Sequence, residues 1–126
     1  MRIGALFAIV ALLLWAIAAH ADKLVVIKDS EAIRYVGKEV EVRALVVSVT
    51  TSPLGTTFIS FGGEYPRQTF AGFISAGSRI STDRRLTMIQ GKIISIIGTI
   101  QLRDGKPEIE IVSADQIKGL NSQTER

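Results

Sequence analysis

Few side chains in this chain could do covalent or acid–base chemistry. There is no cysteine, and the one histidine is His20. Past that position there is neither thiol nor imidazole, which excludes Cys and Ser–His nucleophiles and zinc sites of the His/Cys type. Carboxylate chemistry with a metal remains, and Glu108 and Glu110 stand two apart, where one strand face would carry both. They alternate with Ile109 and Ile111, a pattern that reads as a solvated outer face over an apolar inner one. Nothing joins them as the converging acid, base and clamp that hydrolysis requires. The expectation is therefore a protein that is not an enzyme, with no catalytic residues, no metal and no cofactor.

The cations point elsewhere. Between Tyr65 and Lys106, seven basic residues (Arg67, Arg79, Arg84, Arg85, Lys92, Arg103 and Lys106) face only Asp83 and Asp104. A basic segment inside a chain whose overall charge is only +3 suits an anionic partner. The plain alternative is a charged, solvated surface.

The elements that must position these residues begin after residue 21. Arg2 is followed by the uncharged apolar run Ile3–Ala19, then by Ala19-His20-Ala21, the small-x-small pattern that signal peptidase reads. Residues 1–21 are expected to be a signal peptide, cut between Ala21 and Asp22, and the protein to be periplasmic or secreted. An uncleaved N-terminal anchor is the alternative. Residues 22–126 then form a single domain, with a core of about residues 30–117 and a polar C-terminal tail. The domain lacks disulfides, so packing alone must hold it.

Beta-branched residues dominate, and the class is mainly β. Leu24–Ile27 is a lead-in or edge strand. Asp29 or Ser30 caps a short helix that buries Ile33 and Val36 and ends at Gly37. Lys38–Thr50 is a long strand whose first half alternates and whose second half is apolar on both faces, as a bent strand serving two halves of a barrel would be. Phe58–Ile74 is the central hairpin. Aromatic and aliphatic arms enclose Gly62, Gly63 and Pro66, and Gly72 marks a bulge or tight bend. Ser81 or Thr82 caps a second short helix bearing Leu86 and Ile89. Lys92–Arg103 is a second long strand, bending at Gly98. Asp104-Gly105 is a type I′ turn signal leading into the last strand, Pro107–Val112.

Long strand, hairpin, helix, long strand, tight turn and short strand is an order that resembles an OB-fold. The details are more specific: Phe58, Phe61-Gly62-Gly63, Tyr65-Pro66, Gln68 and Phe70 belong to the likeness. So do the Gly91-Lys92 that opens the last hairpin and the Pro107-Glu108-Ile109 that closes it. Over about Ser30–Ile117 these resemble a family of small, often exported bacterial OB-fold domains of the nucleic-acid-binding kind. The resemblance implies a five-stranded Greek-key barrel with a short helix between strands 3 and 4, and a short N-terminal helix. Ala44 stands where a glycine would match Gly98, so the first long strand should bend more gently.

An OB barrel binds across its second and third strands and the loops beside them. Mapped onto this chain, that face offers Arg67, Arg103 and Lys106 to phosphates and Tyr65 and Phe73 to bases, with Arg43 outward on the first strand. The resemblance thus implies a binding module for single-stranded nucleic acid, DNA or RNA, or another anionic polymer. The competing expectation, which export favours, is an envelope interaction module that uses the same groove for a protein or glycan.

Overall fold

The computed structural model describes residues 23–124, so the expected signal peptide and its cleavage site lie outside the described residues. Among the described residues there are eight strands: β1 (Val26–Ile27), β2 (Glu39–Thr51), β3 (Thr57–Phe61), β4 (Phe70–Ile74), β5 (Ile93–Thr99), β6 (Gln101–Arg103), β7 (Lys106–Glu110) and β8 (Ile117–Lys118). The class is mainly β, as expected. The hydrogen-bonded order is β6-β7-β4-β3-β2-β5-β8, with β1 paired to β2. Where five strands were expected there are eight. Two of the extra ones are the two-residue strands β1 and β8, and the second long strand is divided at Ile100 into β5 and β6. Ile100 alone separates them, so the covalent chain joins β6, at one end of the path, to β5 near the other.

The longest strand explains how one chain builds both parts of this sheet. Residues Glu39–Leu45 of β2 pair with β5, whereas Val46–Thr51 pair with β3. The partner changes where the sequence passes from one-sided to two-sided apolar character, so the expected dual service is present. The bend does not fall at Ala44. A register shift between Val46 and Ser48 supplies it, since an extra residue in one strand increases the local twist.

The bulge expected at Gly72 is absent, and β3 pairs with β4 in unbroken register from Thr57↔Ile74 to Phe61↔Phe70. Gly72 serves close packing instead: a Cβ there would lie 2.7 Å from both Ile111 Cδ1 and Ile96 Cδ1. Gly98 is tighter still, with its Cβ position 2.5 Å from Ile109 Cγ2. The core that these glycines admit holds Val40, Val42, Val46, Ile59, Phe61, Phe70, Ile74, Ile94, Ile96, Ile109 and Ile111.

The expected helices are short 3-10 segments, Asp29–Tyr35, Arg79–Thr82 and Arg84–Met88. Three residues per turn puts Ala32 and Tyr35 toward the core. Ile33 and Val36, expected inside on an α-helical period, are 51% and 41% exposed. Asp83, not Ser81 or Thr82, caps the third segment, its carboxylate accepting from the Arg85 amide. Leu120 is buried, so ordered packing continues past Ile117.

Candidate nucleic-acid interface

In β3 and β4 the alternation separates two faces. Ile59, Phe61, Phe70 and Ile74 belong to the core, and Phe58, Ser60, Ala71 and Phe73 point to the opposite, outer side. Cross-strand pairing extends that outer face in both directions. Ser48 lies opposite Ser60 and Thr50 opposite Phe58, and on the far side Ala71 is beside Glu108 and Phe73 beside Glu110. Glu108 in turn faces Gln101, and Arg103 faces Lys106 across the turn at Asp104-Gly105. Those two turn residues have φ of 52° and 77°, the left-handed conformation that their types tolerate.

The Gly62–Thr69 connection folds back over this face. Tyr65 stacks on Phe58 with ring centroids 4.3 Å apart and planes at 26°. Lys106 Nζ donates to the Pro66 carbonyl, tying the connection to β7. At its base, Thr69 Oγ1 donates to Asp29 Oδ2 at 2.5 Å, and the Thr69 amide donates to the Phe61 carbonyl. Gly63 is needed here, because a Cβ would meet the Arg67 carbonyl oxygen at 2.7 Å. Residues Gly62–Arg67 themselves enclose an open hollow of about 490 Å³.

Arg103 lies flat on the same surface. Its Cζ is 4.6 Å from the centroid of Phe73, and its Nε is 3.3 Å from Glu108 Oε1. A guanidinium over an aromatic face gains roughly 0.5–2 kcal/mol, more as water is excluded. Glu108 overturns its sequence reading. It was expected on a solvated face beside Glu110, yet its side chain is only 1% exposed, while Glu110 is exposed. Burial pushes the Glu108 carboxyl up, Arg103 draws it partly back, and Asp104 adds to the rise. Position on an outward phase did not mean contact with water, because Arg103 lies against it.

Of the six residues singled out from the sequence, five gather on this side of the molecule. Tyr65 is half-buried, with one ring face on Phe58. Arg67 is exposed beside it, and Arg103 and Lys106 flank the neighbouring turn. Phe73 is on the expected face but is 5% exposed under Arg103, so it offers no open ring for a base. Arg43 does not join them. It pairs with Ser95 on β5 and lines a separate cavity with Lys28, Leu45 and Ile93. Arg85 is committed to structure, gripping Asp83 with Nη2–Oδ2 at 2.6 Å and donating to Asn121. That guanidinium holds the Asp83 carboxyl below its usual range.

Glu108, Ser48 and Ser60 were not singled out as binding residues. The only sequence signal for them was a run of small and polar side chains at the outward phase of strands that are otherwise apolar. Among the described residues, no three His, Cys, Asp or Glu side chains are grouped as a metal site. Nor is any helix among them long and apolar enough to cross a membrane.

No known protein family matches the sequence, and no curated protein does. The likenesses are to solved structures. One is an aspartyl-tRNA synthetase from Leishmania major Friedlin, 14% identical with a TM-score of 0.50, covering 77% of this chain and 21% of that one. Another is the aspartyl-tRNA synthetase from Entamoeba histolytica, 15% identical with a TM-score of 0.51, covering 75% and 22%. The chain spans about a fifth of either enzyme's length. At these identities the likeness is one of fold, and an OB-fold is consistent with it.

Proposed function

We propose that this chain is a non-catalytic OB-fold module that binds single-stranded nucleic acid on the outer face of β3, β4, β7 and β6. In this reading β5 and β6 are one bent strand, and with β2, β3, β4 and β7 they make the five strands of the barrel. The observation that carries the proposal is the convergence of Arg67, Arg103 and Lys106 around Tyr65, four residues drawn from three elements. Cations spaced along a face neutralise phosphates, and a flat ring beside them gives a base a stacking surface. Two of the structures that share the fold are named as tRNA synthetases, which supports nucleic acid over other anionic polymers. We further propose export, with residues 1–21 removed after Ala21. N-terminal sequencing of the protein recovered outside the cytoplasm tests it, and an intact Met1 would overturn it.

The binding test is fluorescence anisotropy of a labelled single-stranded oligonucleotide at low and moderate salt. Affinity that falls steeply with salt is the expected result. A folded protein that fails to bind at low salt would overturn the reading.

A further inference from the structure

β1 is an edge strand with the composition of a central one. Leu24, Val25 and Val26 are 38%, 53% and 56% exposed, and Ile27 alone of the four turns into the core. Successive residues of a strand point to opposite faces, so apolar side chains stand in water on both faces of the sheet here. Natural edges are commonly blunted by a charge or a proline, and the run from Leu24 to Ile27 contains neither. On the outer face the apolar surface continues inward. Val26 lines a hollow of about 510 Å³ with Leu45 and Ile93, which pair across β2 and β5 and are 52% and 58% exposed.

Only one side of the β1 backbone is used. The strand runs parallel to β2 with Val26 beside Glu41 and Ile27 beside Val42, and the Val25 carbonyl accepts from the Glu41 amide at 2.9 Å. Alternate residues of a strand turn their amide and carbonyl groups to the same edge. Val25 and Ile27 therefore face β2. Leu24 and Val26 face away, to a side where no strand among the described residues pairs with β1. The next amide in that row is already taken, since Lys28 donates to Glu31 Oε1 at 3.0 Å. What remains open is a short row, the N–H and C=O groups of Leu24 and Val26.

We propose that this edge pairs with the same edge of a second copy of the chain, antiparallel about a twofold axis at Val25, so that one sheet runs through two barrels. Leu24 of each copy exchanges both backbone hydrogen bonds with Val26 of the other, and the two Val25 side chains meet as a non-hydrogen-bonded pair. Three observations choose a second copy as the occupant. A strand added here must be apolar on both faces, and Leu24–Val26 is such a strand. The row is also its own complement, because each donor and acceptor in it finds its opposite across the axis. The charges agree as well. Antiparallel pairing keeps the two copies of Lys28 apart, and the hollow beside the edge sets Lys28 and Arg43 against Asp29 and Glu31. That balanced set suits a like surface and not a polyanion.

The inference does not depend on the nucleic-acid reading, whose cations lie on the hairpin connection and the β6–β7 hairpin and not on β1. The contact is small, so the dimer belongs with reversible, low-area associations. Its test is sedimentation velocity of the protein recovered from expression of the full chain. Between about 1 and 100 μM the mass should pass from that of a monomer toward that of a dimer. Val26→Lys puts a charge on the apolar edge, and Val26→Pro removes the outward N–H without removing a hydrogen bond to β2. Each should stay monomeric throughout that range, with folding confirmed by its thermal transition. Leu54→Lys, at an 88% exposed site on the β2–β3 loop, should dimerise like the unmodified protein. Hydrogen exchange needs no variant: in the peptide that carries Leu24 and Val26 it should slow several-fold at the concentrated end of the range. A monomer at every concentration would overturn the inference. So would a dimer that survives both Val26 substitutions or is lost in Leu54→Lys, or exchange in that peptide that is independent of concentration.

Discussion

Replacing Arg67 and Lys106 together by alanine isolates the electrostatic part of the interface. Neither residue has an ion-pair partner among the described residues, and neither belongs to the core. Lys106 gives up one hydrogen bond, to the Pro66 carbonyl, at an exposed site. Arg103 is the wrong residue for this purpose. Removing it would leave the buried Glu108 carboxyl without its cation, and the resulting loss of stability would blur the binding measurement.

The magnitude follows from counting phosphates. For a single strand, the slope of log affinity against log salt is about −0.7 per neutralised phosphate, so three cations give about −2.1 and one gives about −0.7. From 50 to 200 mM salt the unmodified protein should then lose roughly twentyfold in affinity, and the double variant less than about threefold. Anisotropy titrations at three salt concentrations measure both slopes. Arg43→Ala and Arg84→Ala are the controls: Arg43 lines a different cavity and Arg84 lies on the Arg84–Met88 segment, so their slopes should match the unmodified protein. A double variant with an unchanged slope, or an Arg43 variant with a reduced one, would refute the placement of the phosphates.

Tyr65→Ala should weaken oligonucleotide binding by about 1–3 kcal/mol in the same assay, whereas Tyr65→Phe should retain most of the affinity, because the ring and not the hydroxyl does the stacking. Gly98→Ala should destabilise the fold by roughly 1–3 kcal/mol in urea unfolding, and more than Gly72→Ala. The added methyl at 98 meets the branch carbon Ile109 Cγ2, while at 72 it meets two terminal Cδ1 atoms that can turn away. The Lys118 ammonium, 2.8 Å from Glu41 Oε1, holds the Glu41 carboxyl below its ordinary value against the opposing effect of burial. That stabilisation is present above the unfolded carboxyl's pKa and is lost as pH falls through the lowered folded value. Lys118→Met should therefore cost up to about 1 kcal/mol at neutral pH, and the difference should fade in acid.

The parts of the fold that were legible in the sequence rest on local rules. Alternation in Lys38–Thr50 and Phe58–Ile74 located β2, β3 and β4, and Asp104-Gly105 located the last hairpin by its need for positive φ. The parts that were not legible depend on competition between similar local states. A seven-residue segment with few apolar residues has little to choose between α and 3-10 winding, and the choice decides whether Ala32 or Ile33 is buried. Gly72 was read as a bulge or tight bend in its strand, although the same residue serves a strand in regular register wherever a neighbouring side chain needs the room of its missing Cβ.

The candidate interface failed to be legible at one point for a related reason. Strand periodicity assigns a side chain to a face, and it assigned Phe73 and Glu108 to the outer face correctly. It does not say what lies over that face. Here the cover comes from Arg103 over Phe73 and Glu108, and from Tyr65 over Phe58 in a connection whose hold on β7 links Pro66 to Lys106, residues 40 apart in the chain. No window of sequence short enough to read for pattern contains both. The cover changes the chemistry of everything beneath it: Phe73 stops being a platform and becomes the bed for Arg103. Glu108 changes from a solvated charge into a carboxyl raised by burial. Two aromatic residues of this face, Phe58 and Tyr65, are stacked on each other, and Tyr65 becomes its outer ring.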